Sequence, residues 1–149
     1  MKWDKVGSFC SRDVLTARLE ELNLITGIET LCDSTLLVVL KSEVSTASTL
    51  ESLFRCLAEA NPLVISLLGK NAGVAFGILL EVLSHPIAKD HIMTKICYGE
   101  TFQEGLEDFL ESSWPTEERH DNWTFCRILV VDNEENYCFF VHQLKKMLT

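Results

Sequence analysis

Positive charge is scarce in this chain. It carries 13 lysines and arginines against 22 aspartates and glutamates, for a net charge of −9 and a pI near 4.8. That balance works against non-specific attachment to nucleic acid or to an anionic membrane surface, since both are negative themselves. Long apolar runs are missing too. Every apolar stretch is interrupted by Gly, Lys, Glu or His within about ten residues, short of the ~18 that a membrane span requires. The opening MKWDKVGSFC has no extended apolar centre and no small-residue cleavage site, so no signal peptide is expected. Paired cysteine spacing is absent as well. Cys10, Cys32, Cys56, Cys97, Cys126 and Cys138 form no C-x-x-C, and most sit in apolar runs, where a thiol packs as a small hydrophobe. Reduced thiols in a cytoplasmic protein are the expectation.

The motifs of known chemistries are equally lacking. H-E-x-x-H, cysteine–histidine zinc spacing and G-x-S-x-G do not occur, and His85, His91, His120 and His142 make no helical metal pair. LLGKNAG resembles a phosphate loop at first sight. Asn71 follows Lys70 where a Walker sequence needs Ser or Thr, and the spaced glycine before Gly69 is missing. No cofactor and no metal are expected.

What is present is a rhythm. With 149 residues, the chain is expected to form one domain over 1–149. SRDVLTARLEEL (11–22) reads as a helix capped by Ser11, with Val14, Leu15, Leu19 and Leu22 on its apolar side. A short edge strand is expected near 28–31. TLLVVLK (35–41), LVISLLG (63–69), IMTKICY (92–98) and WTFCRILVVD (123–132) read as strands. Between and after them, 48–60, 72–85, 101–114 and 133–148 read as helices, with capping boxes at Ser48/Glu51 and Thr101/Glu104. The second of these helices is apolar almost all round and is expected to be covered on more than one side, with Gly73 and Gly77 allowing close packing. Strands alternating with helices imply parallel pairing. The expected fold is α/β: a three-layer sandwich with a mainly parallel sheet of four or five strands, preceded by an N-terminal helix.

Two regions are candidate sites. Ligands in open parallel sheets bind beyond the carboxyl ends of the strands, which places Lys70, Asn71, Glu100 and Asp132 together as a candidate ligand site. The stronger signal is electrostatic. From Glu100 to Asp121 there are eight acids and one base, so this segment holds −7 of the −9. It ends in WPTEERHDNW, in which Trp114 and Trp123 bracket a charged stretch and are expected to anchor it against the body of the protein, or, where one of them is partly exposed, to supply the aromatic anchor of an interface. Glu107, Asp108, Glu111, Trp114, Glu117, Glu118, Arg119, His120, Asp121 and Trp123 are therefore the candidate partner-binding residues.

The profile of a short, acidic chain with unpaired cysteines and no catalytic motif is similar to that of inhibitor or immunity-type proteins, which neutralise a basic toxin or nuclease by covering it. The leading expectation is a non-catalytic protein that docks a basic partner, with no nucleic acid and no membrane involved. The alternatives are an enzyme or small-ligand binder at the strand ends, and a structural or regulatory subunit dimerising through an apolar helix face.

Overall fold

The computed structural model describes residues 1–20, 28–40, 46–86 and 90–148. A six-stranded sheet runs through its centre in the order β1-β2-β6-β3-β4-β5, formed by β1 (Asp4–Phe9), β2 (Arg12–Leu19), β3 (Ser34–Leu40), β4 (Val64–Gly69), β5 (Met93–Ile96) and β6 (Phe125–Val131). Only β1 runs antiparallel to its neighbour; every other pair is parallel. The helices are α1 (Ala47–Glu59), α2 (Ala72–Leu83), α3 (Phe102–Ser112) and α4 (Glu134–Leu148).

The strand sequences explain the layering. Along β3 every residue is buried, and successive side chains point to opposite faces. Leu36, Val38 and Leu40 meet Leu53, Phe54 and Leu57 of α1 and Leu79 of α2, while Leu37 and Val39 join the cluster of Phe109 on α3 and Phe140 on α4. Two helices therefore cover each face, and the three-layer arrangement follows from strands that are apolar on both sides.

The N-terminal expectation is corrected. Residues 12–19 form β2, not a helix, and residues 21–22 lie outside the described residues. Val14 packs toward α3 and α4, whereas Ala17 and Leu19 pack toward α1 and α2. A strand buried on both faces shows apolar residues at spacings that also fit a helix, and pairing with β6 from Asp13↔Phe125 to Leu19↔Val131 decides between them. The hairpin turn into β2 uses Cys10 and Ser11, both in the left-handed region at φ 49° and 68°. Two consecutive residues of this kind are the mark of a two-residue hairpin loop, normally built with Asn-Gly. Residues 28–31 form no strand; the extra strands beyond four are β1 and β2.

Smaller corrections concern the helices. Thr46, not Ser48, caps α1, its hydroxyl accepting from Thr49 N at 3.3 Å. Thr101 caps α3 as expected, but Glu104 reaches back to Glu100 N instead of closing the box on Thr101. Helix α2 buries Ala72, Ala75, Leu79 and Val82 and leaves its outer side uncovered: Val74 is 70% exposed. A β-carbon added at Gly73 or Gly77 would meet nothing within 4 Å among the described residues, so neither glycine serves close packing there.

Candidate functional site

The carboxyl ends of β4 and β5 open onto a cleft of about 410 Å³ that includes Lys70, Tyr98 and Glu100 in its lining. Asn71 and Asp132 do not line it. Asp132 is buried and supports the start of α4: its Oδ1 accepts from Asn133 N at 2.7 Å and from Asn136 Nδ2 at 3.0 Å, while the Asn133 side chain accepts from Asn136 N. The strand-end set thus divides, with Lys70 and Glu100 together and Asp132 committed to a helix cap. Residues 41–45, which follow β3 in sequence, lie outside the described residues.

The more elaborate site lies at the opposite, amino end of the strands. Residues 117–122 form a short 3-10 helix (Glu117–Asn122). Its anchor is Arg119, which is only 8% exposed. The guanidinium donates from Nη1 to the carbonyls of Pro62 and His91 and from Nη2 to that of Asn61, each at 3.1 Å, with Asp90 at 3.7 Å. Arg119 is therefore a structural bolt, although its place in an acidic run made it look like part of a surface.

Helix α3 is pinned just before Trp114. The Ser113 hydroxyl lies 2.8 Å from that of Ser66 on β4 and 3.9 Å from the Cys97 sulfur, all three buried. Burial pushes the Cys97 thiol up, which outweighs the lowering effect of the Ser113 contact. Ser113 and Pro115 point inward, yet Trp114 between them is 57% exposed. Of the two expectations for the tryptophans, anchoring fits Trp123, which is partly buried, while Trp114 is the exposed one.

The two rings pack against each other, with centroids 6.4 Å apart, and both line a pocket of about 360 Å³. Phe9, Leu110 and Cys126 supply its apolar lining, while Arg12, Glu111 and His120 supply its polar edge, with Cys10 of the hairpin turn beside them. Arg12 donates from Nε to the Trp123 carbonyl at 3.2 Å, and its guanidinium sits 3.7 Å over the Trp123 ring. The His120 ring meets Trp123 edge-on at 5.6 Å. Trp123 Nε1 is buried without a hydrogen-bond partner among the described residues, and it faces the Cys126 sulfur. Burial raises the Cys126 thiol above its ordinary range, against the smaller opposing effects of Thr35 and Arg12. Such a thiol is a packing group and a poor nucleophile.

No protein-family model and no curated protein matches the chain. The geometry therefore carries the functional argument alone.

The remaining candidate residues separate by role. Asp108 is committed inside the molecule, accepting from Lys95 Nζ at 2.7 Å and from Tyr98 N at 3.0 Å. Burial pushes its carboxyl up, but the Lys95 ammonium and the Tyr98 N–H outweigh that and hold it below the usual range. Glu107 is half-buried and accepts from Gln103 on its own helix. Glu111, Glu117, Glu118 and Asp121 are exposed, and among the described residues none forms a salt bridge. Phe9, Cys10, Arg12, Leu110 and Cys126 were not among the candidates. They are scattered in sequence: the pairing of β1 with β2 and of β2 with β6 gathers Phe9, Cys10, Arg12 and Cys126, and α3 adds Leu110. Among the described residues, no helix is long and apolar enough to cross a membrane.

Proposed function

We propose that this is a non-catalytic binding protein that docks a basic macromolecular partner on the face carrying Trp114, in the manner of an inhibitor that covers a toxin or nuclease. The observation that carries the reading is Trp114, 57% exposed beside an apolar pocket and accompanied by four exposed carboxylates with no salt-bridge partner among the described residues. Interfaces concentrate their energy in a few aromatic anchors, and complementary charge around them raises the rate of encounter. The three exposed cysteines suit a reducing cytoplasm.

The test is capture at low and high salt by the wild-type protein and by a Glu117→Lys/Glu118→Lys variant, with the captured proteins identified by mass spectrometry. A basic protein held by the wild type and lost from the variant is the expected result. Equal capture by both, or capture of acidic proteins only, overturns the reading. The cleft shared by Lys70 and Glu100 favours a second reading, a small-ligand site or enzyme at the strand ends. Binding of small metabolites that is lost in Lys70→Ala supports that reading.

A further inference from the structure

We infer that the pocket lined by Trp114 and Trp123 seats a single aromatic side chain carried by a cationic segment of the partner. This rests on the partner-binding reading above and adds the chemistry of the anchor. Size is the first argument. At about 360 Å³ the pocket lies at the small end of ligand sites, which span ~300–1,000 Å³, so it suits one large side chain and not an extended cofactor.

The walls are the second argument. Phe9, Trp114, His120 and Trp123 present four rings, and the Arg12 guanidinium adds another flat surface. Rings pack against rings edge-on or offset, and guanidinium planes stack on them. Arg12 already covers one face of Trp123 at 3.7 Å. A cation inserted as deep as that ring would meet a like charge, so the part of the occupant that enters is neutral.

The rim is the third argument, and it sets the charge of what surrounds the anchor. Glu111 lines the pocket. The 3-10 helix that carries His120 into the pocket also carries the exposed Glu117, Glu118 and Asp121. Neither Glu111 nor any of these three has a salt-bridge partner among the described residues. A neutral ring with positive charge flanking it satisfies both the interior and the surroundings, whereas an acidic segment would meet Glu111 and the acidic 3-10 helix.

Three blocked tripeptides test this on the full chain: Lys-Phe-Lys, Lys-Ala-Lys and Glu-Phe-Glu. Two readouts report occupancy. One is the indole N–H resonances of Trp114 and Trp123, with Trp3 on the other side of the sheet as reference. The other is alkylation of Cys10, with the exposed Cys32 and Cys138 as internal controls. Lys-Phe-Lys is expected to shift both pocket resonances and to protect Cys10 alone. It should bind about tenfold more tightly than Lys-Ala-Lys and about fivefold or more better than Glu-Phe-Glu, with the second ratio shrinking at high salt. Trp114→Ala, which removes an exposed ring and should leave the melting temperature unchanged, should abolish the difference between Phe and Ala. Equal binding of the two lysine peptides overturns the pocket while leaving the acidic docking face intact. Equal binding of Lys-Phe-Lys and Glu-Phe-Glu leaves a pocket indifferent to charge and overturns the inference and the basic-partner reading together. Absence of any shift at millimolar Lys-Phe-Lys overturns the inference outright, and the charge-reversal capture then decides the docking face on its own.

Discussion

Replacing Arg119 by alanine should unbolt the whole segment between α3 and β6. The side chain is 8% exposed and donates to three backbone carbonyls, those of Asn61, Pro62 and His91, each at 3.1 Å. A hydrogen bond involving a charged group contributes about 1.5–3 kcal/mol, but three bonds from one side chain do not add fully, because water enters once the guanidinium is gone. The expected cost is on the order of 3–5 kcal/mol, the range seen when one member of a buried charged contact is removed. For a chain of this length that corresponds to a fall in melting temperature of roughly 6–20 °C. Arg119→Lys should recover less than half, since an ammonium has no planar fork to span separate carbonyls. Glu118→Ala, one residue away and exposed, should stay within about 0.5 kcal/mol of wild type. Urea unfolding with unchanged m-values provides the measurement. A loss below about 1 kcal/mol for Arg119→Ala would refute the argument that these three bonds hold the segment in place.

Gly77→Ala should raise stability by about 0.5–1 kcal/mol, because the added methyl meets nothing within 4 Å among the described residues and helix propensity improves. A fall in stability, dependent on protein concentration, would instead reveal a second copy packed on the outer side of α2. In native protein, Cys10, Cys32 and Cys138 should react with iodoacetamide quickly, while Cys97 and Cys126 should react only on unfolding, since both are buried and raised; mass spectrometry of timed samples checks this. The Lys95–Asp108 pair should contribute no more than about 1 kcal/mol, both side chains being roughly a quarter exposed. Because the folded carboxyl lies below its ordinary value of about 3.9, that contribution is complete above pH 4 and is lost as pH falls through the lower, folded value. The cost of Lys95→Met, measured by denaturant titration, should therefore be present at pH 7 and disappear in strong acid.

The strand–helix alternation from residue 34 onward was legible because its elements carry their own signals. β-Branched apolar runs mark β3, β4 and β6, and the Thr101 cap marks α3. The N-terminal hairpin was not legible, for a definite reason. Val14, Leu15 and Leu19 fit a helical period as well as a doubly buried strand, and the Cys10–Ser11 turn does without the Asn-Gly that would have announced it. At the candidate site, the exposed acids and the importance of the tryptophan bracket could be read locally. The role of Arg119 could not, since its partners Asn61, Pro62 and His91 are distant in sequence. The pocket was hidden for the same reason, because its wall from Phe9 to Arg12 reaches Trp123 only through the pairing of β2 with β6. The uncovered side of α2 shows the limit of composition: an apolar helix surface tells how much area is available for burial, not whether this chain buries it.

The strand order has a consequence for how the protein is made. Strand β6 lies between β2 and β3, so the N-terminal hairpin has no link to the rest of the sheet except through residues near the other end of the chain. A ribosome delivers Asp13 long before its neighbour Phe125, and at ~5–20 residues per second the hairpin waits on the order of ten seconds for its partner. Throughout that interval β2 presents an unpaired apolar edge, and β3 and β4 can associate without it. The nascent chain is therefore exposed to misassociation at β2 until β6 has been made. Chaperone dependence, if the protein shows any, should track residues 12–19 and should end when β6 is inserted.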